Sequence, residues 1–139
     1  MERRRLRPSA APLVLIVDET REPYAVALAS LGFETTMAAG GAHAFEIAWH
    51  VIPDLIVMEV SLPRFDGWGL IEDLKGDPQT WDIPIVMLTR EAESSVRERA
   101  TQQGCAAVLV KPCRPEALAQ TLREVLGRPA WSANASIPP

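Results

Sequence analysis

Four short apolar runs constrain this 139-residue chain more than anything else in it: Leu-Val-Leu-Ile-Val at 13–17, Leu-Ile-Val-Met at 55–58, and the segments 83–88 and 106–110. Each is continuous, without the apolar–polar alternation of a strand that faces water on one side. Continuous apolarity suits strands covered on both faces, which means a parallel sheet between two layers of helices. The intervening segments carry the helical period. Tyr24, Leu28 and Leu31 recur at that spacing, and Gly32 supplies the stop. Ala44, Ile47 and Ala48 mark a second helix, and Leu70, Ile71 and Leu74 a third. Leu118, Leu122, Val125 and Leu126 mark the last, with Pro115 in its first turn and Gly127 after its end. The segment 91–103 is polar, with Val96 and Ala100 its clearest apolar positions, and predicts a marginally packed helix. Residues 34–37 form the least apolar strand, which belongs at a sheet edge.

Five strands and five helices in strict alternation define an α/β class. Right-handed crossovers leave few topologies, and the natural one is a doubly wound five-stranded parallel sheet in the order 2-1-3-4-5. The length suits one domain with a real core. We place that domain at 12–127, between a basic arm at 1–11 and a tail or linker start at 128–139 that is rich in Pro, Ser and Asn. Arg3, Arg4, Arg5 and Arg7 read first as a solvated, disordered arm, with a nucleic-acid or membrane-surface arm as the alternative.

The net charge of −4 argues against nucleic acid as the main partner. No run approaches the ~20 apolar residues of a membrane span. Asp18 and Glu19 interrupt the first apolar run before it could serve as a secretory signal, so the expected location is cytoplasmic. Cys105 and Cys113 bracket one predicted strand. At ~3.3 Å per residue they stand roughly 26 Å apart, beyond the ~7 Å Cα limit of a disulfide, and are expected as free thiols. His43 and His50 are expected on a helix surface, with no Cys/His cluster at metal spacing.

In a doubly wound sheet, ligands bind beyond the carboxyl ends of the central strands, where strand order reverses. The first strand delivers Asp18 and Glu19 there, the third Glu59, the fourth Thr89 and the fifth Lys111. Each has a plain structural reading. Asp18 and Glu19 could serve the amino end of a helix, Thr89 could cap the next helix, and Lys111 could be a solvated lysine. Together they say more, because three acids near one another require a cation or several donors. Carboxylates in this pattern can seat a hard divalent ion such as Mg²⁺, with Lys111 and Thr89 holding an anionic group beside it.

The chain resembles the receiver domains of two-component response regulators from about residue 13 to residue 126. The motifs that carry the resemblance are Leu-Ile-Val-Asp-Glu ending at 19, Pro-Asp-Leu-Ile-Val-Met-Glu at 53–59, Leu-Pro-Arg-Phe-Asp-Gly at 62–67, Ile-Pro-Ile-Val-Met-Leu-Thr at 83–89 and Val-Lys-Pro at 110–112. In that family an aspartate ending the third strand accepts a phosphoryl group from a histidine kinase, with Mg²⁺ bound. The resemblance implies Glu19 as a direct metal ligand, Asp18 acting mainly through water, and the Ser61 backbone carbonyl as a further ligand. Glu59 itself would also face the metal. Thr89 and Lys111 would contact the phosphoryl oxygens, and the Lys111–Pro112 bond would be cis. Asp66 and Gly67 would be structural, a turn with a helix cap. A flavin-binding domain of the same strand order would need a phosphate-cradling loop where this chain has acids.

The departures are as informative as the matches. Glu59 stands where the family carries its acceptor aspartate. Val108 stands where many receivers carry a switching aromatic, and Arg90 follows the switch threonine where a small residue is usual. Arg90 could cover the site or pair with Glu59. Glu59 reaches about one bond length further than aspartate, and a displacement of about 1 Å can cost on the order of a hundredfold in phosphoryl-transfer rate. The longer arm also puts its carboxylate where a phosphoryl group would sit, beside Lys111 and Thr89. The expected function is therefore a phosphorylation-independent, protein-binding receiver, at most an enzyme acting on itself. The alternative is a phospho-accepting regulator that uses Mg²⁺ with Glu59 or Ser61 as acceptor. The implied partners are a histidine kinase, a phosphotransfer protein or an effector, or a second copy of the chain. The kinase, phosphotransfer or effector protein would dock on the fourth helix, fifth strand and fifth helix, with Arg97, Val108 and Arg123 as candidates.

Overall fold

The computed structural model describes residues 11–18, 24–59, 67–90 and 93–127. Five strands alternate with five helices: β1 (Leu13–Val17), α1 (Tyr24–Ser30), β2 (Glu34–Ala38), α2 (Gly41–Val51), β3 (Leu55–Met58), α3 (Gly67–Lys75), β4 (Ile85–Thr89), α4 (Ser94–Gln102), β5 (Ala107–Val110) and α5 (Pro115–Leu126). The strands form one parallel sheet in the order β2-β1-β3-β4-β5, as the alternation predicts. The basic arm and the tail expected at the two ends lie outside the described residues, apart from Ala11.

Continuous apolarity in the central strands has a direct cause. Successive side chains point to opposite faces, so each strand feeds two separate cores. Leu15, Val17, Ile56, Met58, Ile85 and Met87 pack on one face with Ala44 and Ala48 of α2, Leu70, Ile71 and Leu74 of α3, and Ala100 of α4. Val14, Ile16, Leu55, Val57, Val86 and Leu88 pack on the other with Tyr24 and Leu28 of α1 and with Leu118, Leu122 and Val125 of α5. β1, β3 and β4 are buried throughout.

The outer strands differ. β2 is at an edge, as its polarity predicts, with Glu34 and Met37 exposed. β5 is also an edge strand. All four of its residues are half-buried, so its apolar run does not report the two-sided cover expected of it. The fourth strand also begins later than its apolar run: Ile83 and Pro84 precede it. Ile83 donates its N–H to Thr80 O in a turn, and Pro84 has no N–H to give to a ladder.

Helix ends follow local chemistry. After α1, Gly32 takes φ +100°, a conformation that suits glycine, while Phe33 N–H returns to Leu28 O. α5 opens with Pro115 at its first turn. α2 ends without glycine: Ile52 caps it in the left-handed region at φ 52°, its N–H donating to Ala48 O. α4 is the polar helix expected, with Ala100 its one buried residue. Arg99 of α4 lies 4.4 Å from the ring centroid of Trp68 on α3, which adds a cation–π contact to that thin packing. Among the described residues no helix is long and apolar enough to cross a membrane.

Candidate functional site

The strand order sets which side chains can meet. β1 and β3 are neighbours at the centre, so Asp18 after β1 and Glu59 after β3 sit side by side at the carboxyl edge. Asp18 N–H is held by Ala38 O and Glu59 N–H by Val17 O, which extends the ladder one residue past each strand. Thr89 closes β4, fully buried, and its carbonyl accepts the N–H of Lys111 at 2.7 Å.

Lys111 follows β5, and β4 separates it from β3. At ~4.8 Å per strand its backbone stands about 10 Å from that of Glu59, a gap only a long stem can close. Its ammonium reaches both acids, lying 3.2 Å from Asp18 Oδ2 and 3.3 Å from Glu59 Oε2. The three side chains are 4%, 7% and 2% exposed respectively. A buried carboxylate without a counter-charge is costly, and Lys111 serves two of them at once. Tyr24, Met58 and Leu88 are among the residues bordering the small space beneath the two acids.

The structure therefore brings together Asp18, Glu59, Thr89 and Lys111. Glu19, Ser61 and Asp66 lie outside the described residues, while Gly67 is buried as the first residue of α3. The Lys111–Pro112 bond is cis, as expected. Arg90 is exposed, and Val108 is half-buried against the core. Arg97 is exposed on α4. Arg123 is exposed too, but it is committed to the turn between α1 and β2: it donates to Leu31 O at 2.8 Å and lies 5.5 Å from the Phe33 ring centroid. That places it toward α1, away from the α4 side on which sequence reasoning grouped it with Arg97. His43 and His50 are exposed on α2, and Cys105 and Cys113 are free thiols.

One contact at the site has no counterpart in the sequence motifs. Tyr24 donates its hydroxyl to Cys113 O at 2.8 Å, across 89 residues of sequence. Spacing marked Tyr24 only as an apolar helix position. Its phenol, the sole one in the chain, was the available hint.

The response regulator receiver domain family matches residues 14–123. The chain belongs to that family. This receiver domain is 31% identical over 126 residues to the response regulator Rre1 of Synechocystis sp., covering 88% of the chain and 54% of that protein. It is 36% identical over 118 residues to the phosphate regulon transcriptional regulatory protein PhoB of Pseudomonas aeruginosa, covering 83% and 52%. The chain thus spans about half the length of these relatives. Among solved structures it is similar to the chemotaxis protein CheY4 of Vibrio cholerae, with a TM-score of 0.77, 30% identity and coverage of 83% of this chain and 98% of that one. Receiver domains are signalling modules rather than enzymes in the usual sense. They generally bind Mg²⁺ at the acceptor site, and response regulators interact with histidine kinases and effectors.

Proposed function

We propose that this receiver domain is a phosphorylation-independent protein-interaction module, with Glu59 at the phosphoacceptor position as a permanent, partial imitation of phosphoaspartate. The observation that carries this reading is the contact between Glu59 Oε2 and Lys111 Nζ at 3.3 Å, buried from water. The lysine that would hold a phosphoryl oxygen already holds a carboxylate. Phosphate would bring ≈ −1.5 to −2 charge and three acceptor oxygens, where glutamate brings one charge and two. The imitation is therefore incomplete in charge, and its contact with Lys111 is what supports the reading. Val108, which has no aromatic ring to swing, fits a static surface better than a toggled one.

The donor set fits a hard divalent cation in kind. Asp18 and Glu59 are buried carboxylates that share one ammonium. Asp18, Glu59, Glu19 and the Ser61 carbonyl would hold Mg²⁺, which would supply charge neutralisation for an incoming anion. Among the described residues no group of three acid, His or Cys side chains converges, so the metal role depends on Glu19. Lys111 meanwhile orients the two acids, and Thr89 O holds the Lys111 N–H. The binding partner is a kinase, phosphotransfer or effector protein, or a second copy, docking on α4, β5 and α5. The independent unit is 12–127.

Intact-mass spectrometry after incubation with acetyl phosphate and Mg²⁺, beside Glu59→Asp, tests the reading. The variant should gain one phosphoryl group while wild type stays at its own mass. A phosphorylated wild type overturns it and turns attention to Glu59 or Ser61 as acceptor.

A further inference from the structure

We propose that Tyr24 is a positioning residue for Lys111, fixing from α1 the segment that carries the ammonium to the two buried acids. The proposal stands on the contacts of Lys111 with Asp18 and Glu59, whether or not the site can accept a phosphoryl group.

Lys111 lies just past the end of β5, where the sheet stops guiding the chain. On its β4 side it is held by its own N–H on Thr89 O at 2.7 Å. Two residues on, Cys113 O receives the Tyr24 hydroxyl at 2.8 Å. The segment is therefore pinned from β4 before the lysine side chain departs and from α1 just after it. Lysine has a flexible four-carbon stem, so a defined ammonium position depends on a defined backbone origin. Tyr24 is itself well placed to give one. It is 7% exposed, packed in the core layer of α1 and α5, and borders the same small space as Asp18 and Glu59.

A simpler account is that a buried phenol merely finds an acceptor. The two accounts differ in one respect. If Tyr24 only satisfies its own hydroxyl, deleting that oxygen changes stability and leaves the lysine as it was. If it positions Lys111, the lysine changes while the fold stays, and by reciprocity a change at Lys111 is felt at Tyr24.

The test uses the whole chain. Lysine ¹⁵Nζ NMR of wild type is compared with Tyr24→Phe, which keeps the ring and removes the hydroxyl. Wild type should show a protected ammonium signal from Lys111, assigned by its loss in Lys111→Met. In Tyr24→Phe that signal should shift and exchange with water about fivefold to tenfold faster, the size expected when one hydrogen bond of local protection is lost. An unchanged Lys111 signal in a folded Tyr24→Phe overturns the proposal. Should that variant fail to fold, ¹⁹F NMR of 3-fluorotyrosine decides, because the chain has a single tyrosine. Lys111→Met should move the fluorine resonance, with Glu46→Gln at an exposed position of α2 as the control that leaves it in place. A resonance indifferent to Lys111→Met overturns the proposal.

Discussion

Lys111 Nζ and Glu59 Oε2 meet at 3.3 Å in a place where their side chains are 4% and 2% exposed, with Asp18 on the same ammonium at 3.2 Å. One cation is thus shared by acids delivered by two neighbouring strands. The arrangement exists because a parallel sheet brings the carboxyl ends of β1, β3, β4 and β5 to one edge, and because lysine is long enough to cross β4.

Removing the ammonium should therefore be expensive. Lys111→Met keeps much of the stem and leaves two buried acids without their shared counter-charge, so we expect a loss of about 3–5 kcal/mol. Glu59→Gln removes charge and retains an acceptor, and should cost clearly less. Urea denaturation of the two variants at pH 7 checks the order, and a Lys111→Met protein as stable as wild type would refute it.

The two thiols should behave differently. Burial pushes the Cys105 thiol from 9.0 up to about 12, and raises that of the half-buried Cys113 as well. A maleimide at pH 8 should label Cys113 first and Cys105 only as the protein unfolds. The sign of the linked pH effect follows from the raised value. The folded state holds the Cys105 proton more tightly, so its contribution is complete below about 9 and is lost as pH rises toward 12. Denaturation midpoints between pH 8 and 11 should fall more in wild type than in Cys105→Ala.

Arg123 ties α5 to the α1–β2 turn through Leu31 O and the Phe33 ring. Both contacts are at an exposed side chain, so Arg123→Ala should cost only about 1 kcal/mol. Lysine at this position should recover little of it, because it lacks the planar fork. Thermal melts of the two variants measure this, and full recovery by lysine would show that the contact is simple charge.

Ile52 presents two opposed terms. Its left-handed φ of 52° costs about 1–2 kcal/mol for a residue with a branched Cβ. Its burial, at 7% exposed, makes truncation cost about 2–5 kcal/mol. Packing outweighs strain, so Ile52→Gly should destabilise by about 1–3 kcal/mol despite relieving the backbone. A more stable glycine variant in urea denaturation would reverse that ranking.

Much of this protein is legible in its sequence. Continuous apolarity at 13–17 and 55–58 located β1 and β3 to the residue, because strands buried on both faces leave no polar position. Helical spacing, with Gly32 and Gly127 as stops and Pro115 as a start, bounds α1 and α5 closely. Alternation of elements gave the strand order, since right-handed crossovers exclude most alternatives. The same pattern misread edges. An apolar run cannot tell a central strand from β5, which pairs only with β4 among the described residues, and it takes in Ile83 and Pro84, which precede β4.

What the sequence alone determined is which residues reach the carboxyl edge: Asp18, Glu59, Thr89 and Lys111 each end or follow a strand, and strand direction is a local matter. Which of them touch was decided by tertiary structure. The sharing of one ammonium by Asp18 and Glu59, the bond from Tyr24 to Cys113 O, the turn of Arg123 toward Leu31 and the left-handed cap at Ile52 each depend on segments far apart in the chain or on a packing cost that overrides local preference. Periodicity records which face of an element is apolar. It does not record where a long polar side chain finds its partner, because that is settled only when the sheet has closed the distance.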